Sequence, residues 1–238
     1  MKKLIIIGAT SGIGKELAKT FSLNNYEVGI AGRRANLLKE LASELPTKTY
    51  TATIDVKKTE YAIQSLEKLI AEMGNVDIII ISAGIGHINP SLDWLQEKET
   101  IDTNVLGFTA MAGVAVRYFI KKGSGHIVGI SSIASIRGYD KAPAYNASKA
   151  FMSNYLEGLT RKIAKEKLRI TATDIQPGFV DTAMAKGDHL FWVASPKEAA
   201  KQIYNAIKQK KEKAYITKRW VIIAWLLRIL PRYLYKKL

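Results

Sequence analysis

Cysteine is absent from all 238 residues, which excludes disulfides and thiolate-ligated metals and fits a reducing compartment. Histidine is scarce, and His87, His126 and His189 lack the spacing of a metal site, so no metal is expected. Acids are in deficit: 21 Asp and Glu face 36 Lys and Arg, a formal net charge of +15. No repeat or low-complexity tract is visible. The opening apolar run, Leu4–Ile7, stops at Gly8. A secretory signal core needs about seven to fifteen apolar residues, so this run reads instead as a first buried strand. What remains is an ordinary globular composition, 47% apolar, long enough for one well-buried α/β domain and short for two.

The positive charge is concentrated at the end. From Lys208 onward there are ten Lys or Arg and one acid, Glu212. The basic residues bracket an apolar run and do not form a stripe with interleaved stacking aromatics. That argues against nucleic acid and for anionic lipid heads. A solvated basic tail is an equal reading.

Leu4–Ile7, Val28–Ala31, Thr49–Ile54, Asp77–Ile81, His126–Ser131 and Ile170–Ile175 read as strands. They are nearly continuous apolar runs, as expected where both faces of a parallel sheet are covered. Helical segments fall at 13–24, 34–44, 58–73, 98–121 and 144–166. Ser195-Pro196 reads as another helix start and Ala214–Thr217 as a seventh strand. The alternation predicts an α/β fold: a doubly wound parallel sheet with helices on both faces and its ligand crevice beyond the C-terminal strand ends. Residues 1–217 form this single domain, and 218–238 a basic, apolar helical extension.

Gly8-Ala9-Thr10-Ser11-Gly12-Ile13-Gly14 follows the first strand and opens a helix. Glycines there allow a tight turn and let backbone N–H groups approach a pyrophosphate. Five residues separate Gly8 from Gly14 and Glu16 follows Lys15, so this is not a Walker A loop. The spacing is not G-x-G-x-x-G either. The second strand ends Ala31-Gly32-Arg33-Arg34, with no acid for a ribose 2′-hydroxyl. Two guanidiniums suit a 2′-phosphate, which favours NADP(H), with Arg33 as main contact and Arg34 secondary.

Tyr145 and Lys149 share a helix face at i and i+4, and Ser132 lies thirteen residues before the tyrosine. A phenol with its pKa of about 10 is a poor acid–base near neutrality. A neighbouring ammonium would lower that value, and Ser132 would hydrogen-bond the same substrate oxygen.

Together these motifs resemble the short-chain dehydrogenase/reductase family over residues 3 to 217, which implies a Rossmann-type fold. The resemblance implies that Tyr145 exchanges the proton and Ser132 orients the carbonyl. Lys149 would bind the nicotinamide ribose, and Asn104 would kink its helix and hold a relay water. Asp55 and Val56 are similar to the adenine-binding pair, and Ala83-Gly84 would lie along the cofactor. Pro177-Gly178 with Val180 and Thr182 resembles the segment that meets the nicotinamide carboxamide. Two departures stand out: Ile7 where the family commonly has Thr, and Ile81-Ser82 where it has Asn-Asn. An apolar contact between those strand ends is expected in place of a polar one.

The implied function is NADP(H)-dependent reduction of a ketone or aldehyde, or oxidation of the matching alcohol, with none of the histidines needed as a base. A non-catalytic NADPH-sensing or membrane-associated binding protein is the alternative. Phe179, Met184, His189, Leu190, Phe191, Trp192 and Val193 in the 178–194 loop suggest a hydrophobic substrate, or simply pack that loop down. Asp93, Trp94, Tyr139 and His87 are further candidates for the pocket border. A homodimer or homotetramer in the cytoplasm is implied. The run Trp220–Leu230 is broken by Arg228 and falls short of the about twenty residues that span a bilayer. It fits attachment to the inner membrane face, a partner subunit, or a lid over the pocket.

Overall fold

The computed structural model describes residues 1–183 and 191–236, so Met184, His189 and Leu190 lie outside the described residues. In chain order the elements are β1 (Lys3–Ile7), α1 (Gly12–Leu23), β2 (Glu27–Gly32), α2 (Ala35–Glu44), β3 (Thr49–Thr53), α3 (Thr59–Met73) and β4 (Ile78–Ile81). Then come α4 (Trp94–Ile101), a π-helical turn (Asp102–Gly107), α5 (Phe108–Lys122), β5 (Ser124–Ile130) and a 3₁₀ turn (Ile133–Ser135). The chain ends with α6 (Pro143–Lys165), β6 (Arg169–Pro177), α7 (Pro196–Lys208), β7 (Lys213–Ile216), α8 (Trp220–Ile229) and α9 (Arg232–Tyr235). All strand pairs are parallel, in the order β3-β2-β1-β4-β5-β6-β7. The winding reverses between β1 and β4, which opens the crevice beyond their C-terminal ends.

Alternation within the apolar strands builds two cores. Ile5 and Ile7 of β1 with Ile79 and Ile81 of β4 face α3, α5 and α6, meeting Leu66, Leu69, Met111, Phe119 and Leu156. Leu4 and Ile6 with Ile78 and Ile80 face the other layer, meeting Leu17 and Phe21 of α1, Leu38 of α2 and Ile203 of α7. Because β1 and β4 are buried on both sides, their sequences show no polar face. Ser195 caps α7, accepting the Glu198 N–H at 3.1 Å, and Pro196 takes the first turn.

Most strand ends shift by one or two residues from the sequence reading, and the region around α4 and β4 departs further. The helix placed at 98–121 starts earlier, at Trp94, because Asp93 caps it by accepting the Gln96 N–H (3.1 Å). A π-helical turn then interrupts the helix at Asp102–Gly107. Asp77 sits just before β4, where its carboxylate takes the Lys3 N–H (3.0 Å) and the Lys122 ammonium (2.9 Å).

His126 on β5 is buried, with Nε2 2.7 Å from the Thr173 hydroxyl. Burial, with a smaller push from Lys210, lowers its pKa from 6.5 to about 4. The folded protein therefore resists a proton that the unfolded chain accepts. Stability is fully present above pH 6.5 and is lost as pH falls towards 4. Between pH 6.5 and 4.5 the parent should lose about 2 kcal/mol more than His126→Gln, read by urea unfolding at each pH.

Candidate active site

The glycine loop closes the crevice at its floor. Gly8 and Gly12 have φ of +92° and +53°, which side chains disfavour. A Cβ on Gly14 would lie 2.1 Å from the Gly8 carbonyl oxygen, and one on Gly8 would lie 2.5 Å from the Ala83 nitrogen. The loop thus packs on itself and on the end of β4. Ile13 packs beneath into the α1–α7 layer. Thr182 arches over the loop, its methyl 3.1 Å from where a Gly12 Cβ would be. The result is a bare backbone cradle at the start of α1, the shape and polarity that a dinucleotide pyrophosphate needs.

Arg34 reaches back to this loop. Its Nη2 donates to the hydroxyls of Thr10 (2.7 Å) and Ser11 (2.9 Å), and its Nε to Thr10 (3.2 Å). Arg33, favoured by sequence, is exposed at the end of β2. Asp55 closes the turn after β3 by accepting the Lys57 N–H (3.1 Å). Val56 is buried under Gly107, whose missing Cβ would lie 2.8 Å from it. At the strand ends Ile7 pairs with Ile81, both buried, and the Ser82 N–H donates to the Ile7 carbonyl (2.8 Å). The apolar replacement expected there is what the structure holds.

Asn104 sits in the π-helical turn and is fully buried. Its amide nitrogen donates to the Ile85 carbonyl (2.8 Å) and to the Ser148 hydroxyl (2.9 Å), while its oxygen takes the Ile85 N–H (2.9 Å). It therefore ties the segment after β4 to α6. A Cβ on Gly84 would lie 3.2 Å from Lys149 Nζ and 3.3 Å from Asn104 Oδ1, so Gly84, Asn104 and Lys149 meet at one point.

α6 starts at Pro143 and presents Tyr145 in its first turn and Lys149 one turn later. The Tyr145 ring lies against Gly86, where a Cβ would be 2.8 Å from the ring. Ser132 follows β5, donating to the Pro177 carbonyl (3.4 Å) and accepting the Ala134 N–H (3.1 Å). Desolvation raises the Tyr145 pKa, and a hydrogen bond with Ser132 pulls it back down. The sequence reading assigned that downward pull to Lys149. Its ammonium instead donates to the Ile130 carbonyl (3.0 Å) and stands 5.8 Å from the centre of the Tyr145 ring. Burial lowers the Lys149 pKa to about 8, against an upward pull from Asp174.

Asp174 was missed. It is buried on β6, where Ser131 donates to Oδ1 and Ser153 (2.6 Å) and Gln176 (2.7 Å) donate to Oδ2. A charged acid inside an apolar strand was the available signal, since such a group needs partners. Gly86 was also missed, although Gly84-Ile85-Gly86 repeats glycine at the strand end.

The remaining candidates scatter. Asp93 serves as the α4 cap, and Trp94 is largely exposed. His87 pairs with Glu99 (3.3 Å), which also binds Lys57 (3.0 Å). Tyr139 is exposed beside a groove of about 520 Å³ lined by residues including Arg137, Pro143, Asn146 and Ala150. Phe179, Phe191 and Trp192 form an aromatic cluster around Trp220 of α8. Val180 bridges Ala194, which brings the ends of that loop together.

A doubly wound sheet with a glycine cradle at its switch point, and Ser132, Tyr145 and Lys149 beside it, is the architecture of a nicotinamide-dependent oxidoreductase. A family profile described as short chain dehydrogenase matches residues 2–191. The chain is 32% identical over 192 residues to a 3-oxoacyl-[acyl-carrier-protein] reductase, FabG, of Chlamydia muridarum, covering 78% of this chain and 77% of that one. In structure it is similar to serine dehydrogenase complexed with NADP+ (TM-score 0.80, 24% identity, 90% and 94% of the two chains). It is also similar to a 3-ketoacyl-(acyl-carrier-protein) reductase of Brucella melitensis complexed with NADH (TM-score 0.80, 21% identity, 91% and 97%). The chain belongs to the short-chain dehydrogenase family. It is an oxidoreductase acting on CH–OH groups with a nicotinamide cofactor.

Proposed function

We propose that this chain reduces the carbonyl of a hydrophobic ketone or aldehyde with NADPH, or runs the reverse oxidation. The observation that carries the reading is the convergence of Ser132, Tyr145 and Lys149 beside the side-chain-free Gly84 and Gly86. The glycine cradle, Asp55, Val56, Ala83, Gly84, Pro177, Gly178, Val180 and Thr182 would hold the dinucleotide. When bound, its nicotinamide supplies the hydride or accepts it.

The protein's own groups do the rest. Ser132 donates a hydrogen bond to the substrate oxygen and fixes its direction. Tyr145 gives that oxygen its proton as negative charge develops there. Lys149 holds the nicotinamide ribose and keeps positive charge beside the phenol. Asn104 orders the turn between Ile85 and Ser148, leaving Gly84 open towards the ribose.

NADP(H) is favoured over NAD(H) because Arg33 and Arg34 stand where an acid would bind a free 2′-hydroxyl. Arg34, already braced on Thr10 and Ser11, is the better-placed guanidinium. A charge-assisted bond to phosphate is worth about 1.5–3 kcal/mol. Arg34→Ala should therefore weaken NADPH about tenfold to a hundredfold, with little change for NADH, and Arg33→Ala should do the same to a smaller degree. Tryptophan-fluorescence titration with both cofactors checks this.

Exposed apolar residues on the π-helical turn and α6, Leu106 and Phe151, support a homo-oligomer built beside the site. The basic tail supports attachment at the cytoplasmic face of a membrane. NADPH oxidation with a panel of hydrophobic ketones and aldehydes tests the activity. Tight NADPH binding with no turnover of any carbonyl would replace the reductase reading with that of a cofactor sensor.

A further inference from the structure

α8 is apolar on both sides. Trp220, Ile223, Ala224 and Leu227, at i, i+3, i+4 and i+7, form its inward stripe, with Trp220 and Ala224 buried. The opposite side of a surface helix is ordinarily charged or polar. Here it carries Val221, Ile222, Trp225, Leu226 and Ile229, and Ile222, Trp225 and Ile229 are 59%, 59% and 54% exposed. Pro231 turns the chain into α9, which adds exposed Tyr233 and Leu234. Along the last turns of α8, up to Pro231, runs an apolar groove of about 420 Å³, lined by residues including Leu226, Leu230 and Pro231.

The rim decides what covers this face. No acid occurs from Lys213 to the end of the chain, while Lys218, Arg219, Arg228, Arg232 and Lys236 surround the apolar patch. A second copy packed symmetrically through α8 would set these cations against their equals, with no acid between them. An anionic bilayer pairs with both features, the apolar face entering the acyl boundary and the cations meeting lipid phosphates. At ten residues the helix is about 15 Å long, so it lies in the interface and does not cross it.

The helix is also fastened to the reaction site at both ends. At its start, Trp220 packs directly on Gly178, where a Cβ would be 2.0 Å from the indole. Gly178 follows Pro177, whose carbonyl Ser132 holds. Trp220 also stacks on Phe191 (centroids 5.1 Å, 28° between planes), and Phe191, Trp192 and Val193 continue the exposed apolar face towards the loop. At its end, Arg137 donates to the Leu227 and Leu230 carbonyls (2.7 Å each). Arg137 belongs to the segment after Ser132, and Asn146, next to Tyr145, donates to its carbonyl (2.6 Å).

We propose that the outer face of α8 and the exposed residues Phe191–Val193 dock together on an anionic bilayer, turning the mouth of the site to the lipid so that the substrate is a membrane-dissolved carbonyl compound. The substrate half rests on the reductase reading above, and the docking half does not.

Flotation of the full chain with phosphatidylcholine vesicles, with and without phosphatidylglycerol, tests the docking. The parent should float with the anionic vesicles and lose most of that binding in high salt. The triple variant Ile222→Ser, Trp225→Ser, Ile229→Ser should lose about a hundredfold in vesicle affinity or more, while its thermal melting and NADPH binding match the parent. Brominated lipids should quench Trp192 in a variant whose other tryptophans are Phe. Absence of flotation, equal flotation of parent and triple variant, or an unquenched Trp192 overturns the proposal, as does a parent dimer that the triple variant abolishes.

NADPH oxidation with 2-octadecanone held in the vesicles, against cyclohexanone in solution, separates the two readings. Faster turnover of the vesicle-borne ketone by the parent than by the triple variant, at equal rates with cyclohexanone, supports delivery from the bilayer. Equal rates for both ketones overturn delivery. Flotation and quenching without any NADPH oxidation overturn the reductase reading and leave the docking intact.

Discussion

Tyr145→Phe should lower kcat/KM for carbonyl reduction by about 10²–10⁴-fold, the usual worth of a positioned acid–base group. The expected loss is chemical, with the fold intact. Phe keeps the ring that lies against Gly86, so the packing that seats α6 survives. NADPH affinity and melting temperature should therefore match the parent, and only turnover should fall. Stopped-flow measurement of the hydride step with saturating NADPH gives the comparison. If the variant keeps more than a tenth of the parent rate, Tyr145 is not the proton donor.

Lys149→Met should abolish most activity and at the same time change how stability depends on pH. The folded-state pKa of about 8 lies below the ordinary value of 10.5. At neutral pH the fold must therefore keep an ammonium charged where burial disfavours charge. That destabilisation is present below about pH 8 and is relieved as pH rises towards 10.5, because the unfolded chain then holds a proton that the folded chain has released. Between pH 7 and 9.5 the parent should gain about 2 kcal/mol relative to the variant, measured by urea unfolding. Loss of the bond to the Ile130 carbonyl costs the variant about 1–3 kcal/mol at every pH, so the pH slope carries the test and the absolute stability does not. In the parent, reduction should weaken above pH 8 as the ammonium discharges. Asp174→Asn removes the charge that holds this pKa up, so its alkaline limit should fall at lower pH than the parent's.

Much of the site was legible because its residues act through their own backbone position. Gly8, Gly12 and Gly14 need only a strand before them and a helix after them. Tyr145 and Lys149 need only one helical turn between them. The strands were legible for a similar reason: a run such as Leu4–Ile7 has few places to go other than a sheet covered on both sides. Arg33 and Arg34, by contrast, could not be ranked from neighbouring positions. The hydroxyls that brace Arg34 belong to Thr10 and Ser11, twenty-four and twenty-three residues earlier.

The π-helical turn was hidden for the same reason. Asn104 bonds Ile85 and Ser148, and no local pattern of helix-forming residues records that tie. Asp174 was visible as an odd acid in a strand. Its bonding to Ser131, Ser153 and Gln176, and its pull on Lys149, exist only once β5, α6 and β6 are packed.

The order of strands and helices, the glycine loop that opens α1 and the sharing of one helix face by Tyr145 and Lys149 were determined by the sequence alone, because each follows from local periodicity or short spacing. Only the tertiary structure decided which arginine reaches the cradle, what sets the charge on Lys149, and that α8 is bolted to Gly178 and Arg137. Each of those depends on groups brought together across the sheet, where burial and distance, and not order along the chain, set the strength of the interaction.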